Sequence, residues 1–188
     1  MDPYKGYWML PGSILRSDEL IEDNVNRVIY DRVGIKDLAV TQHHLFNKLD
    51  RMGKTRLIAI NYIGLVDSRT LVLKREVRDY ESEWFSINQI PKASFDHNEI
   101  INDAIVELKD LLVNSNTLKS LYPSDFTLPE IQSIYEQILN TKLDRRNFRK
   151  KFIKLDLIED TGYMNDSLNG RPAKLYRFKE TIKERDLF

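Results

Sequence analysis

A run of cationic side chains in the C-terminal half is suited to contact a polyanion. Residues 142–155 carry seven lysines and arginines against a single acid, Asp144. An arginine can fork onto a guanine edge and an asparagine onto an adenine, while other cations hold phosphates. For base contacts in a DNA groove we expect Arg146, Asn147 and Lys150. For phosphate contacts we expect Arg145, Arg149 and Lys151. The residue types leave open how these roles are divided.

The basic run is predicted to be a helix that anchors by an aromatic side. Asp144 suits the N-cap position, because its carboxylate can accept from backbone N–H groups one turn into the helix. Phe148, Phe152 and Leu155 recur at i, i+4 and i+7 and therefore share one face. The cations then fall on the flanks and on the opposite side. A helix of this kind suits the major groove of DNA.

A second helix is predicted directly before the basic one. Residues 126–130 form a capping box, in which Thr127 and Glu130 satisfy backbone groups at the helix start. Apolar residues recur at helical spacing from Leu128 to Leu139. The short turn at 140–142 gives helix–turn–helix spacing.

A hairpin is predicted after the basic helix. Residues 157–158 and 174–178 read as strands, and the polar, glycine-containing stretch 161–170 reads as the loop between them. Helix, turn, basic helix and hairpin together predict a winged helix. Arg171 and Lys174 would then stand at the base of the wing, within reach of phosphates or a minor groove.

The first 113 residues predict a mixed α/β domain. Ser17 and Gly34 bracket one helix, as N-cap and C′ residues. Asp96 begins a second helix that runs to Val113, with Glu99 placed to complete a capping box. Four segments read as strands, of which the second is the clearest: 8–12, 57–66, 71–73 and 84–85.

The first of these helices and the segment before it carry a set of residues at a distinctive spacing. The residues are Ser13, Glu19, Arg27, Ile29, Asp31, Gly34 and Ile35. They resemble a degenerate Nudix box, whose pattern is G-x5-E-x7-R-E-U-x-E-E-x-G-U with U aliphatic. Val28 replaces the glutamate after the arginine, and Asp31 and Arg32 replace the glutamate pair.

The departures from the box bear on catalysis. In Nudix hydrolases the helix carboxylates hold the Mg²⁺ ions that neutralise the pyrophosphate and position a water. Valine supplies no oxygen ligand, and Arg32 would repel a divalent ion. We therefore expect neither hydrolysis nor a bound metal or cofactor. Small-molecule binding is assigned instead to Glu19, Arg27, Asp31, Asp96 and His97. For Asp96 the alternative is a plain helix cap.

The combination of motifs extends the resemblance over residues 7–178. The further motifs are Phe95-Asp-His97, Phe126-Thr-Leu128, Tyr135-Glu136, Arg145-Arg-Asn-Phe-Arg149 and Arg171-Pro-Ala173. The chain resembles the Nudix-related transcriptional regulators, the NrtR and AraR group. That resemblance implies a Nudix-like α/β/α sandwich over residues 1–113, followed by a winged helix-turn-helix DNA-binding domain over residues 114–188. The sandwich would be incomplete, because only eleven residues precede Gly12 where the family has about two strands.

The same resemblance implies a function. A homodimer would bind a palindromic operator in double-stranded DNA, and a small molecule in the Nudix-like domain would shift that affinity. The effector is ADP-ribose or a relative in the NAD branch, and a pentose such as arabinose in the sugar branch. The alternative is an active hydrolase of ADP-ribose-like compounds with an accessory winged helix. A winged helix used for protein contact and a solvated basic helix are further alternatives. RNA binding has no aromatic platform to support it.

Composition narrows these possibilities. The absence of cysteine excludes disulfides, thiolate metal sites and a cysteine nucleophile. No signal peptide is visible, and the longest apolar run, 57–66, is too short for a membrane span, so we expect a cytoplasmic protein. Residues 1–113 hold 15 basic and 18 acidic side chains, whereas residues 114–188 hold 14 and 11. His43 and His44 are not expected to share a metal ion, because adjacent residues in a strand face opposite sides.

Overall fold

The computed structural model describes residues 4–36, 38–51, 55–66, 76–77, 80–114, 119, 125–165 and 172–179. The chain divides into two compact units, residues 1–104 and residues 105–188. The functional border expected after residue 113 remains a prediction. In the described part of the chain, no helix is long and apolar enough to cross a membrane.

The first unit has the mixed α/β content predicted from its sequence. Its elements in chain order are α1 (Ile21–Val33), β1 (Val40–Phe46), β2 (Ala59–Gly64), β3 (Glu76–Val77), β4 (Tyr80–Glu81) and the first part of α2 (His97–Asn114). Strand β1 pairs with β2 and β3 pairs with β4, both antiparallel.

Two predicted elements are confirmed with adjusted detail. The strand expected over 57–66 is β2, and the helix expected after Asp96 is α2. The Asp96 carbonyl accepts from the Glu99 N–H at 2.9 Å. The capping box expected here is wrong, because the Glu99 carboxylate forms an ion pair with Lys48. The strand expected at 71–73 lies outside the described residues.

Aromatic packing replaces two of the predicted strands. Of residues 8–12, only Trp8 pairs with another segment, through a parallel bridge to Ala93. Residues 84–85 lie in no strand. The rings of Trp8 and Phe85 meet edge to face, with centroids 4.8 Å apart and planes at 71°. Side-chain contact therefore organises these segments, and their β-propensity was misleading.

Helix α1 begins later than the sequence suggested. Its N-cap is Leu20, so the cap predicted at Ser17 is wrong. The chain before Leu20 is held instead by Glu19, whose carboxylate pairs with Arg27 inside the helix. The end of α1 is as predicted, because Gly34 has φ 77° and its N–H bonds the Tyr30 carbonyl at 3.0 Å. Glycine adopts this left-handed conformation without a Cβ penalty.

A β-bulge in β1 removes the geometric reason for expecting that the adjacent histidines do not share a metal ion. The register with β2 shifts between Gln42 and Leu45, so side chains no longer alternate strictly across the strand. His43 Nε2 and His44 Nδ1 both approach Asp103 Oδ2, at 2.7 and 3.2 Å. The two rings therefore reach one carboxylate of α2, which strict alternation would have prevented.

The second unit has the predicted order of helix, turn, basic helix and hairpin. Its elements after the end of α2 are β5 (Phe126–Thr127), α3 (Leu128–Leu139), α4 (Arg145–Lys154), β6 (Ile158–Met164) and β7 (Lys174–Phe178). The three strands form one antiparallel sheet in the order β5-β7-β6. The capping box before α3 is confirmed, because the Glu130 carboxylate accepts from the Thr127 N–H at 2.7 Å and from its hydroxyl at 3.0 Å.

The wing differs from the prediction in one respect. Residues 161–164 were expected in the loop, but they continue β6 as far as Met164. The Thr161 hydroxyl donates to the Leu175 carbonyl at 2.9 Å across the hairpin, which extends the pairing. Residues 166–170 and Arg171 lie outside the described residues, and the contact expected from Arg171 stays a prediction.

One aromatic core holds the second unit together. Its buried members are Leu112, Phe126, Leu128, Ile131, Tyr135, Phe148, Phe152, Leu157, Ile158, Tyr176 and Phe178. The Tyr135 hydroxyl donates to the Leu112 carbonyl at 3.1 Å, and burial raises the pKa of this phenol. The end of α2 is thus part of the winged-helix core, although its first turns belong to the first unit.

Candidate nucleic-acid interface and effector cleft

Helix α4 is anchored by its aromatic face, as its sequence pattern predicts. Phe148 and Phe152 are 4% and 1% exposed, and their rings stack with centroids 5.3 Å apart. Asp144 caps the helix by accepting from the Asn147 N–H at 2.8 Å. Packing and capping together fix both the rotation and the start of α4, and hence the directions of its polar side chains.

The polar face of α4 is open to solvent. The exposed side chains on it are Arg145, Arg146, Asn147, Arg149, Lys150, Lys151 and Lys154. The first of these residues border a surface hollow at the helix start, lined by Asp144, Arg145, Arg146, Asn147 and Arg149. All six α4 residues expected to contact DNA therefore lie on one exposed helix.

The turn between α3 and α4 is fixed by two residues that the sequence analysis gave no role. The Glu136 carboxylate accepts from the Leu143 N–H at 2.9 Å and from the Gln132 side chain at 3.0 Å. Gln132 also donates to the Leu143 carbonyl at 2.9 Å. The Leu143 N–H, followed by Gln132 and Lys142, lowers the pKa of the Glu136 carboxyl. Their spacing, four apart on the polar side of α3, was the available signal.

The base of the wing contributes a half-exposed cation, Lys174. Lys174 pairs with Asp160 at 2.6 Å across the hairpin, and this hydrogen bond raises the pKa of Lys174. The positive charge of Arg149 acts on the pKa of Lys174 in the opposite direction.

In the first unit, the box-like residues form a closed ion-pair network. The Arg27 guanidinium donates to both oxygens of Glu19, at 2.7 and 2.9 Å. Asn24 and the backbone N–H of Arg16 also donate to this carboxylate, at 2.7 and 2.9 Å. Chiefly through Arg27, they lower the pKa of Glu19 to about 2. Ser13, at the position of the box glycine, accepts from Arg27 at 3.1 Å.

Both carboxylate oxygens of Glu19 accept hydrogen bonds in this network. Asp31 acts electrostatically on Arg27 from the next turn of α1. Val28, which replaces a box glutamate, is buried at 7% exposure and belongs to the core. The residues of the degenerate box thus brace the loop before α1 against the helix.

Asp96 and His97 form a second group. Asp96 makes a bidentate pair with Arg51, at 2.5 and 2.9 Å, which lowers the pKa of its carboxyl. His97 Nδ1 accepts from the Leu10 N–H at 2.9 Å. Burial lowers the pKa of His97, which keeps the ring neutral and able to accept this bond. Asp96 therefore binds a guanidinium with its side chain, and His97 fixes the segment that contains Leu10.

An apolar cleft of about 310 Å³ lies beside that segment. It is lined by Trp8, Met9, Leu10, Pro11, Gly12, Arg32, Val33, Glu81, Ser82, Glu83, Phe85, Ile90, Pro91, Ala93 and Ile101. The Ser82 hydroxyl donates to the Arg32 carbonyl at 2.9 Å, which ties the end of α1 to the opposite wall. None of the five residues assigned to ligand binding from the sequence lines this cleft. His97 is connected to the lining by the hydrogen bond that it accepts from the Leu10 N–H.

The sequence analysis missed the cleft residues for an identifiable reason. Trp8 and Phe85 were interpreted as strand residues, and Arg32 was considered only as an obstacle to a metal. In the sequence, the available signals were the aromatic residues Trp8 and Phe85 and the replacement of a box glutamate by Arg32. The cleft itself is built from residues 8–12, the end of α1, residues 81–93 and Ile101 of α2, and local patterns do not report contacts between separate segments.

Comparison with known proteins supports this geometry. Residues 119–178 match the model of the NrtR DNA-binding winged helix domain. These residues span the helix–turn–helix and both strands of the wing. The ADPR responsive transcriptional repressor NtrR of Acinetobacter baylyi is 29% identical over 181 residues, which cover 94% of this chain and 71% of the relative. The family model thus covers the winged-helix part of the chain, and the match to the repressor covers both units.

Solved structures of NrtR extend the similarity to both units. Shewanella oneidensis NrtR in complex with a 27mer DNA has a TM-score of 0.74 and 25% identity, covering 93% of this chain and 80% of that chain. A MutT/nudix family protein from Enterococcus faecalis has a TM-score of 0.63 and 20% identity, over 88% of this chain and 71% of that chain, and shows the fold. The chain thus has a fold similar to both structures, with a winged helix at residues 119–178.

One relative is named as an enzyme. The ADP-ribose pyrophosphatase of Methanocaldococcus jannaschii is 30% identical over 102 residues, which cover 54% of this chain and 59% of the relative. The chain thus spans little more than half the length of that enzyme.

Proposed function

We propose that this chain is a transcriptional regulator whose α4 reads a palindromic operator and whose Nudix-like unit senses ADP-ribose or a close relative. The observation that carries the proposal is the exposed row of cations and Asn147 on a helix locked by Phe148 and Phe152. The relatives named as an ADPR responsive repressor and as a DNA-bound NrtR support it. The place of action is the cytoplasm, where the operator lies.

Within the DNA interface, the roles proposed from the sequence are retained. Arg146, Asn147 and Lys150 enter the major groove and contact base edges. Arg145, Arg149 and Lys151 hold phosphates, with Lys174 and Arg171 at the wing. Two copies of the chain form a homodimer, so that two copies of α4 meet the two halves of the operator.

The effector is proposed to occupy the cleft of the first unit. Trp8 and Phe85 offer aromatic surfaces for an adenine, and Arg32 offers a cation to a pyrophosphate. Arg32 stands where a hydrolase has a metal-binding glutamate, and here it would bind the pyrophosphate directly. Glu19, Arg27 and Asp31 support this site by fixing α1, while Asp96 and His97 fix its edge at Leu10.

The effector is proposed to act through the dimer. Helix α2 starts in the first unit and ends in the winged-helix core, so it connects the sensing and reading parts covalently. An effector that prefers one arrangement of the dimer would change the spacing of the two recognition helices, and with it operator affinity.

Recovery of genomic DNA tests the regulator proposal. The purified chain is mixed with fragmented genomic DNA at near-physiological salt, and bound fragments are sequenced. A small set of palindromic sites is the expected result. Diffuse recovery that disappears as salt rises would reduce the interaction to non-specific phosphate binding and contradict the proposal.

Hydrolysis of ADP-ribose is the second candidate, favoured by the similarity to the archaeal pyrophosphatase. Buried Val28 and the occupied carboxylate of Glu19 argue against a two-metal site in α1. Incubation with ADP-ribose and Mg²⁺ should leave the compound intact. Mg²⁺-dependent release of AMP would establish the hydrolase instead.

A further inference from the structure

Three side chains in the first unit converge on one point without a role in the proposed function. His43 Nε2, His44 Nδ1 and a carboxylate oxygen of Asp103 lie within 4.8 Å of one another. The first two come from β1 and the third from α2, 60 residues away in sequence. Nothing in DNA binding or in the effector cleft requires this arrangement.

The backbone of β1 is shaped so that both histidines take part. In a regular strand, neighbours point to opposite faces, and only one of the two rings could reach α2. The bulge between Gln42 and Leu45 removes that constraint. A bulge interrupts ladder pairing and re-aims side chains, and such irregularities concentrate near functional sites.

We propose that His43, His44 and Asp103 form a binding site for a divalent transition cation of the zinc class. Two imidazoles and one carboxylate match the preference of zinc, nickel and ferrous iron, whereas magnesium and calcium prefer oxygen alone. The neutral rings and the carboxylate leave the bound ion with a net charge of about +1, which suits a partly hydrated site.

The distances fit such an ion with little movement. Zinc lies about 2.0–2.2 Å from nitrogen and oxygen ligands, so tetrahedral ligand atoms are about 3.3 Å apart. The present separations from Asp103 Oδ2 are 2.7 Å to His43 and 3.2 Å to His44. To reach that spacing, the Asp103 oxygen moves away from the two nitrogens by about 0.6 and 0.1 Å, and the two nitrogens, which lie within 4.8 Å of each other, approach the same spacing.

The exposure of the three side chains indicates that water completes the coordination of the ion. The His43 side chain is 13% exposed, whereas those of His44 and Asp103 are 54% and 38% exposed. The inner ligand is thus shielded and the outer two border solvent. Three protein ligands leave at least one position for water, and the ion joins β1 to α2.

Metal titration of the untagged full-length chain tests the site. After chelator treatment, Zn²⁺ is added in competition with a fluorescent zinc indicator, and Co²⁺ is added separately to record its visible absorption. We expect one Zn²⁺ per chain, a d–d spectrum of four- or five-coordinate Co²⁺, and a higher thermal midpoint with Zn²⁺. A wild-type chain without stoichiometric Zn²⁺ would leave only a hydrogen-bonded pair of histidines on Asp103 and overturn the proposal.

Matched variants assign the ligands. His44→Gln alters an exposed ring, and Asp103→Asn keeps the side-chain shape; each should weaken Zn²⁺ binding at least tenfold and abolish the midpoint shift. Glu107→Gln removes one carboxylate from the same helix one turn further on, and should bind as the wild type does. Unchanged affinity in His44→Gln, with its fold confirmed by circular dichroism, would place the ion elsewhere and also overturn the assignment.

Discussion

Glu19 and Arg27 illustrate a motif that keeps its structural part while its catalytic part changes. The two residues stand at their positions in the Nudix-like pattern and bind each other through both carboxylate oxygens. The metal-binding positions hold Val28 and Arg32 instead. Residue identity and spacing therefore identified Glu19 and Arg27 as members of one pattern. Their geometry shows that the pair holds the loop before α1 against the helix.

The brace predicts a pH dependence of the first unit. The pKa of Glu19 falls from its ordinary 4.5 to about 2 on folding. Because this pKa is lowered, the stabilisation is present above about pH 4.5 and is lost as the pH falls toward 2. Glu19→Gln should be less stable than the wild type at pH 7, and the difference should narrow between pH 4.5 and pH 3.

Tryptophan fluorescence during urea unfolding measures this difference, since Trp8 and Trp84 both lie in the first unit. Asp18→Asn, which changes a neighbouring acid outside the network, serves as the control. A wild-type advantage over Glu19→Gln that is the same at pH 3 as at pH 7 would rule out the ion pair as its source.

Arg146 and Arg145 should differ in how they affect DNA binding. Arg146→Ala should lose about 1–3 kcal/mol of operator affinity and relax the preference at one base position. Arg145→Ala should weaken all sequences alike and lower the salt slope by about one. Competition among operator variants at several salt concentrations measures both effects. Equal loss on every sequence for Arg146→Ala would assign that residue to phosphate instead.

Among the elements, α4 was the most predictable because its signals are local. Phe148 and Phe152 lie four residues apart, and Asp144 stands one turn before the first of them, so the ten-residue helix and its cap lie within one short segment. The hydrogen bonds of Glu136 to the following turn are also local, and its spacing of four residues from Gln132 on α3 was the signal for them.

The elements that sequence reasoning misplaced depend on distant partners. The start of α1 depends on Arg27, eight residues from Glu19. The bulge in β1 depends on pairing with β2 and on Asp103. The cleft depends on Trp8 meeting Phe85. No periodicity within one segment reports these contacts, since each is decided by tertiary packing.

The stability of the winged helix should depend on the aromatic face of α4. Phe152→Ala removes a ring that is 1% exposed and should cost about 3–5 kcal/mol of unfolding free energy. Ile153→Ala, at a neighbouring position that is 45% exposed, should change it by about 0.5 kcal/mol or less. Circular dichroism during urea unfolding compares them. Similar losses in both variants would mean that α4 is not anchored through Phe152.

At the scale of the whole molecule, the net charge of zero is the sum of two parts of the chain with opposite net charges. The basic excess lies in residues 114–188 and the acidic excess in residues 1–113. Because α4 concentrates the cations on one exposed face, the chain needs no overall positive charge to bind DNA. Under the proposed function, the acidic part selects a ligand by shape, aromatic contact and the cation of Arg32.

The central claim is that an effector in the first unit changes the DNA affinity of the second. Fluorescence anisotropy of a labelled operator, taken from the recovered genomic sites, tests it directly with and without saturating ADP-ribose. Calorimetry first establishes saturation, and arabinose serves as the control ligand. We predict a several-fold shift in the operator dissociation constant with ADP-ribose and none with arabinose. Superimposable titrations with and without bound ADP-ribose would contradict the account.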